Sequence, residues 1–206
     1  ASRAAHRRRV SVEEVEEEVE LGGLRLSVVH PSEPDELIDE DAFEHEEFLP
    51  YWAELWPSAL ALGRLLERRD LTGQRVLELG CGLAVPSIVA ALRGGEALAT
   101  DWAPDAIAFA RRNAELNGAR VELALAAWAD AKRLEVRGPW QLVLASDVLY
   151  ERRNVEQLID VLSRLGAGET LVADPGRPAL AAFLEKARAR WHVEEHRDPE
   201  LPRGGV

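Results

Sequence analysis

The residues best suited to chemistry lie in Val76-Leu77-Glu78-Leu79-Gly80-Cys81-Gly82-Leu83-Ala84, where an apolar run ends in an acid and two glycines spaced two apart. This pattern is typical of a parallel strand that passes into a helix through a tight turn, with its backbone close to a ligand. Nineteen residues after Gly82, a second apolar run ends in Asp101. A carboxylate there can accept hydrogen bonds from both hydroxyls of a ribose. The two segments together predict a site for a ribose-bearing cofactor.

The residues after the second glycine indicate which cofactor this is. A dinucleotide-binding fingerprint places Gly or Ala three residues after that glycine, where this chain has Val85. The segment from Glu78 to Ala84 instead resembles the first motif of the seven-strand S-adenosylmethionine methyltransferases, with Ala84 in place of the third glycine. This resemblance implies that the cofactor is S-adenosylmethionine. The alternatives from other classes are a nicotinamide-nucleotide oxidoreductase and a cofactor-binding module without catalysis.

A second group of polar residues, Ser146-Asp147-Val148-Leu149-Tyr150, closes the fourth predicted strand, at the sheet edge that carries chemistry in open α/β folds. The Asp-x-x-Tyr pattern and the aromatic segment Pro50-Tyr51-Trp52-Ala53-Glu54-Leu55-Trp56-Pro57 resemble the lysine-methyltransferase branch of the seven-strand enzymes, with its relatives similar to nicotinamide N-methyltransferase. The resemblance covers residues 48–175. The ending Asp174-Pro175-Gly176-Arg177 is similar to the flavoprotein-modifying members, although those carry a proline-containing motif where this chain has Asp147 to Tyr150.

The resemblance implies a role for each matching position. Cofactor contacts fall on Trp56, Glu78, Gly80, Cys81, Gly82, Asp101, Trp128 and Ser146. The acceptor side falls on Asp147 and Tyr150, which are the implied catalytic residues. The resemblance implies no metal.

Several of these residues also have a structural interpretation. Trp128 follows the third predicted strand, where an indole either stacks on the adenine or packs at the rim of the sheet. Trp56 and its aromatic neighbours cover either the sheet edge or the bound cofactor. Cys81 is interpreted as a small residue filling a tight turn, since no His lies nearby in sequence to activate it. Asp147 either orients an acceptor or has a capping role.

The favoured acceptor is a lysine side chain of a protein, and a small-molecule amine is the alternative. The methyl carbon of a sulfonium is already electrophilic, so most of the acceleration is expected from holding the nucleophile in line with it. The amine must attack unprotonated, against an ordinary pKa of about 10.4. Desolvation and the neighbouring positive charge lower that pKa. Asp147 would then hydrogen-bond the amine, and Tyr150 would shape its pocket or bond the same nitrogen.

Alternating strand and helix patterns from residue 75 onward predict an α/β fold with a doubly wound, mostly parallel sheet. Helix 104–117 has Pro104 in its first turn and Gly118 beyond its end. A further helix is predicted to begin at Pro57. The predicted strands are 75–79, 96–100, 120–126, 141–146, 169–173 and 192–196. The other predicted helices are 86–93, 154–165 and 178–190.

The segment before this sheet is predicted to be an N-terminal extension, residues 1–47, ahead of a methyltransferase domain at 48–206. Its alternating residues around Gly22-Gly23 predict a hairpin from Val15 to Val29, and an acidic connector follows from Glu33 to Glu47. Seven-strand methyltransferases end in a hairpin that adds an antiparallel seventh strand. That strand would begin about where this sequence ends.

The 206 residues, 47% of them hydrophobic, can bury a substantial core. With 37 acidic and 25 basic residues the net charge is −12, which disfavours nucleic acid and favours a basic partner. The single cysteine is compatible with a reducing compartment. No apolar run reaches the length of a membrane span, and the Arg-rich opening lacks the apolar segment of a signal peptide. These features predict a cytoplasmic protein without membrane contact.

Overall fold

Residues 13–34, 50–201 and 203–206 are described in the computed structural model of this chain. Most of the predicted acidic connector and the Arg-rich opening lie outside them. The strands are β1 (Glu14–Leu21), β2 (Leu24–Pro31), β3 (Arg75–Leu79), β4 (Glu96–Asp101), β5 (Val121–Leu125), β6 (Leu142–Ser146) and β7 (Glu169–Ala173). The helices are α1 (Pro57–Glu67), α2 (Val85–Leu92), α3 (Pro104–Leu116), α4 (Ala131–Glu135), α5 (Arg152–Leu165) and α6 (Leu180–Arg188).

The central sheet is parallel and has the order β5-β4-β3-β6-β7. Its middle strands, β3 and β6, are mostly apolar and buried on both faces, as strands inside a parallel sheet must be. The chain proceeds outward from β3 to β5 and then resumes on the other side of β3 with β6. This reversal between β3 and β6 is where open α/β sheets bind ligands. The predicted α/β, doubly wound fold is confirmed.

Hydrophobic clusters cover both faces of the sheet. Leu77 and Leu79 point to the face covered by α4, α5 and α6, through residues such as Leu158 and Phe183. Val76 points to the opposite face, which α1, α2 and the hairpin cover. Glu78 lies one residue from both leucines, so its side chain belongs to the same face as Val76.

The predicted N-terminal hairpin is present and is fastened to α3 by two asparagines. Asn113 accepts a hydrogen bond from the Val29 amide at 2.8 Å and donates to the Val29 carbonyl at 3.1 Å. Asn117 makes the same pair of bonds with Ser27, at 3.0 and 2.7 Å. Backbone groups on the outer edge of β2 therefore form hydrogen bonds with asparagine side chains instead of with another strand.

The sixth strand predicted at 192–196 is wrong. In this stretch only Val193 is half-buried, so the segment has no apolar face with which to join a sheet. Instead, Gly205 forms isolated antiparallel bridges with Asp174 and Arg197, which brings the last described residues beside the end of β7. The five-residue helix α4 was not predicted. No helix in 13–34, 50–201 or 203–206 is long and apolar enough to cross a membrane.

Candidate active site

The loops at the carboxyl ends of β3, β4 and β6 surround a cavity of about 480 Å³, a volume typical of small-molecule sites. The register places Leu79 between Thr100 and Ala145, so these strand ends lie side by side. The cavity therefore sits at the reversal of the strand order. Of the ten residues predicted for the site, all but Glu78 line it: Trp56, Gly80, Cys81, Gly82, Asp101, Trp128, Ser146, Asp147 and Tyr150.

The floor of the cavity is the turn between β3 and α2, which depends on left-handed backbone conformations. Gly80 and Gly82 have φ of 67° and 49°. A Cβ on Gly82 would lie 3.1 Å from the Trp52 carbonyl oxygen, so this position also lacks space for a side chain. Ala84 has φ of 63°, which explains why the methyltransferase motif usually has a third glycine here. Cys81 is 5% exposed and burial raises the pKa of its thiol, which disfavours a nucleophilic role.

Asp101 connects this turn to the end of β4. Its Oδ2 accepts the Gly82 amide at 3.0 Å, and its Oδ1 accepts the Ala103 amide at 2.9 Å. The side chain is nearly buried, and this burial raises the pKa of Asp101 above its ordinary value. The carboxylate is thus held rigidly at the cavity wall, with further lone pairs available. Its predicted contact with ribose hydroxyls stays a prediction.

Glu78 lies behind the cavity and not in its lining. Its Oε2 accepts hydrogen bonds from the Ser87 amide at 3.0 Å and from the Ser87 hydroxyl at 2.5 Å. Oε1 is buried without a hydrogen-bond partner, and desolvation raises the pKa of Glu78 to about 8. The side chain is therefore protonated near neutral pH and holds the first turns of α2 against β3. The geometry favours support of the glycine turn over direct contact with a ligand.

The aromatic segment before α1 lies over the cavity. Trp56 lines it and donates its indole N–H to the Tyr51 carbonyl at 2.6 Å. The carbonyl of Trp52 contacts Gly82, and the indole ring of Trp52 contacts the ring of Phe109, with centroids 5.4 Å apart. Trp128 also lines the cavity, close to Gly80. The segment thus covers the cavity, in keeping with the cofactor-covering alternative from the sequence.

Asp147 follows β6 and its carboxylate already has two partners. The Ser58 hydroxyl donates to Oδ2 at 3.2 Å, and Arg177 donates Nε–H to Oδ1. The backbone has φ of 57°, an uncommon conformation that asparagine and aspartate tolerate better than most residues. Its amide donates to the Ala173 carbonyl at 2.9 Å, so β7 holds the unusual turn.

Tyr150 lies at the opening of the cavity, 36% exposed, with its ring centroid 4.7 Å from that of Tyr51. Burial raises the pKa of Tyr150, followed by the negative charge of Glu151. The hydroxyl therefore stays protonated and able to donate. Sequence reasoning missed Ser58 and Tyr51 as site residues, and it noted Arg177 only as part of a family resemblance. Two sequence signals could have identified these residues: Tyr51 lies in the aromatic segment, and Arg177 follows the end of a strand.

A family profile for lysine methyltransferases matches residues 45–178. The chain belongs to this lysine methyltransferase family. The protein N-lysine methyltransferase METTL21A of Danio rerio is 32% identical to it over 153 residues, which cover 69% of this chain and 70% of METTL21A. The electron transfer flavoprotein beta subunit lysine methyltransferase of Xenopus laevis is 36% identical over 139 residues, 65% of this chain and 55% of that protein. The chain therefore spans little more than half the length of the second relative.

Solved structures with the same fold include methyltransferases bound to their cofactor. The 16S rRNA N2 G1207 methyltransferase RsmC of T. thermophilus, in complex with AdoMet and guanosine, superposes with a TM-score of 0.60 at 14% identity. The alignment covers 85% of this chain and 46% of RsmC. At that identity the likeness concerns the fold alone.

Membership of this methyltransferase family confirms the predicted cofactor, S-adenosylmethionine. The lining of the cavity is chemically compatible with that molecule. It offers a backbone turn in which Gly82 has no room for a side chain, the carboxylate of Asp101, and the flat indole of Trp128. The predicted membership of the lysine-methyltransferase branch is confirmed.

Proposed function

We propose that this methyltransferase modifies the ε-amino group of a lysine in a protein substrate, with Asp147 and Tyr150 on the acceptor side of the site. The observation that carries the proposal is the position of the Asp147 carboxylate. It stands at the end of β6 and lines the same cavity as the glycine turn and the contacting rings of Tyr51 and Tyr150, whose centroids are 4.7 Å apart. An amine that enters beside these two rings meets a hydrogen-bond acceptor in the cofactor cavity.

The chain's own residues contribute mainly by positioning. When bound, S-adenosylmethionine supplies an electrophilic methyl carbon, so transfer is an in-line displacement that depends on orientation. Asp147 accepts a hydrogen bond from the amine and fixes the direction of its lone pair. Tyr51 and Tyr150 form apolar walls that remove water from the nitrogen, which lowers the pKa of the acceptor amine. Trp56 and Trp52 close the cavity from the side of α1.

The surface charge supports a basic protein as the acceptor. The chain has a net charge of −12, and the cavity lining includes the acidic side chains of Glu54, Glu151 and Asp160. METTL21A and the flavoprotein-directed relative are named for lysine methylation of proteins. A small-molecule amine remains the alternative acceptor. We also propose a reducing, cytoplasmic location, which the single buried cysteine supports.

The test is transfer of a radiolabelled methyl group into a lysate from the protein's own source, followed by separation of labelled proteins from labelled small molecules. We expect a labelled protein whose label is lost when the modified lysine is replaced by arginine. An Asp101→Ala variant, weakened in cofactor binding, serves as the negative control because a charged hydrogen-bond acceptor is lost. Label confined to small molecules would exclude the protein acceptor.

A further inference from the structure

The carboxylate offered to the acceptor is neutralised by the chain itself. Arg177 donates from Nε to Asp147, whose side chain is 3% exposed, and its guanidinium carbon lies 5.3 Å from the centroid of the Trp56 ring. Arg177 also lines the cavity. A carboxylate next to an aromatic face is a site that recognises cations. In this structure a side chain of the same protein occupies it.

The loop after β7 is built to hold Arg177 in place. Asp174 accepts the amides of Gly176 and Arg177 on Oδ1, at 2.8 and 2.7 Å. Gly176 has φ of 92°, and a Cβ there would lie 2.4 Å from the Arg203 carbonyl oxygen. Asp174 is tied in turn to Gly205 by two backbone hydrogen bonds of 3.0 Å. The arginine thus starts from a fixed backbone, and little freedom is lost when it pairs with Asp147.

The charge on Asp147 matters because the acceptor must arrive as a free amine. An unpaired carboxylate in a partly dry site stabilises an ammonium, whose nitrogen has no lone pair to donate. Arg177 cancels that charge while leaving lone pairs on the carboxylate to orient an N–H. The other charged or titratable groups facing the pair or the same cavity are Asp174, Asp101, Tyr51, Tyr150, Cys81, Glu54, Glu151, Arg153 and Asp160.

We propose that Arg177 is a positioning residue which keeps Asp147 as a neutral ion pair, so that the site receives the acceptor as an uncharged amine. This inference rests on the proposed lysine-directed function. In the transfer, the nitrogen lone pair forms the new N–C bond while the electron pair of the S–C bond returns to sulfur. The methylated ammonium that results then loses a proton to water.

The first test is the single-turnover rate of methyl transfer as a function of pH, at saturating cofactor and saturating acceptor protein identified by radiolabelling. Under these conditions the acid limb reports the pKa of the amine in the complex. Arg177→Gln should move this limb upward by at least about one pH unit. Arg177→Lys, which keeps the charge, should leave it near that of the wild-type enzyme.

Two further variants separate charge from structure. The double variant Asp147→Asn, Arg177→Gln removes both charges, so its limb should return toward the wild-type position even though its rate is low. Arg64→Gln removes an arginine on α1 that pairs with Asp198 and does not line the cavity, and its limb should not move. An Arg177→Gln limb that coincides with the wild-type limb would overturn the proposal.

The second test does not require turnover. Calorimetry of acceptor binding to the enzyme with S-adenosylhomocysteine, in buffers of different ionisation enthalpy, counts the protons released. The wild-type complex should release more protons than the Arg177→Gln complex, because the variant binds more of the acceptor as ammonium. Equal proton release would contradict the role of Arg177. Absence of any protein methylation by the wild-type enzyme would instead contradict the proposed function, so the two failures are distinguishable.

Discussion

Asp147 occupies a left-handed backbone conformation, with φ of 57°, and is nevertheless 6% exposed and hydrogen-bonded at both carboxylate oxygens. A strained residue persists only where its surroundings determine it, and such residues concentrate at functional sites. Here the surroundings come from two parts of the chain that are far apart in sequence: Ser58 of α1, and Ala173 and Arg177 at and just after the end of β7. The direction of the carboxylate is therefore set before an acceptor arrives.

Asp147→Asn should lower the turnover of methyl transfer by about 10²-fold, because the amide keeps the volume but loses the charge-assisted hydrogen bond that positions the amine. Asparagine tolerates the positive φ, but the nearly buried ion pair with Arg177 is lost, so the melting temperature should fall. Steady-state kinetics and thermal denaturation check the two parts. Tyr150→Phe is the milder comparison, since the ring contact with Tyr51 survives. Wild-type turnover in Asp147→Asn would remove Asp147 from the acceptor site.

At this scale, the sequence was sufficient to predict residues on strand ends but not their pairs. Asp147 and Asp101 could be assigned to one edge because parallel strands end together. The ion pair between Asp147 and Arg177 could not be predicted, since 30 residues separate them and only the packing of β7 beside β6 brings them together. Glu78 was assigned to the cofactor although strand alternation directs it away from Leu77 and Leu79. The family motif outweighed a periodicity that was readable.

Among the elements, helix α3 connects the N-terminal hairpin to the glycine turn of the cofactor cavity through hydrogen bonds. Asn113 on α3 is fully buried and binds Val29 of β2 through both its amide atoms. Its Nδ2 also lies 3.3 Å from the carbonyl of Leu83, in the glycine turn. Asn117 lies one helical turn later, immediately after the end of α3. Its side chain hydrogen-bonds Ser27 and the Asn113 carbonyl, but no residue of the glycine turn. Two similar side chains thus differ in whether they reach the cofactor cavity.

Asn113→Ala should cost about 2 kcal/mol of unfolding free energy, because it leaves buried backbone groups of Val29 without partners. It should also weaken S-adenosylhomocysteine binding, since the Leu83 carbonyl loses its support. Asn117→Ala is the matched control, expected to destabilise the fold without changing affinity. Chemical denaturation and calorimetry provide the two measurements. Equal loss of affinity in both variants would show that the connection to Leu83 has no specific effect.

The central elements were predictable because each combines a hydrophobic periodicity with residues that mark where the element begins and ends. Strands 75–79 and 169–173 have the predicted bounds, and α3 ends at Leu116, one residue before the predicted limit. The failure at 192–196 has a physical cause. That segment contains one apolar residue, Val193, and no apolar face, and the bridge beside it, between Arg197 and Gly205, depends on tertiary context. The boundary predicted at residue 47 stays a prediction.

For the whole molecule, carboxyl groups buried under the cofactor site connect stability to pH. Glu78 has its pKa raised to about 8, mainly by desolvation, and Asp101 is shifted in the same direction by burial. Their charges also repel each other, which adds to the raised pKa of Glu78. In the unfolded chain both groups ionise at ordinary values, so the folded protein binds more protons over the interval between.

The free energy of unfolding should therefore fall as the pH rises from about 4.5 toward about 8 and level off above it, because the folded state must either keep the proton or bury a charge. Glu78→Gln keeps an oxygen that can accept both bonds from Ser87 but cannot ionise, so it should flatten much of this slope and exceed the wild-type stability at alkaline pH. Glu169→Gln, which removes an exposed partner of Arg69, is the control and should leave the slope unchanged. Urea unfolding at a series of pH values measures all three proteins. A wild-type slope that persists in Glu78→Gln would place the linked protons elsewhere, with Asp101 the next carboxyl to test.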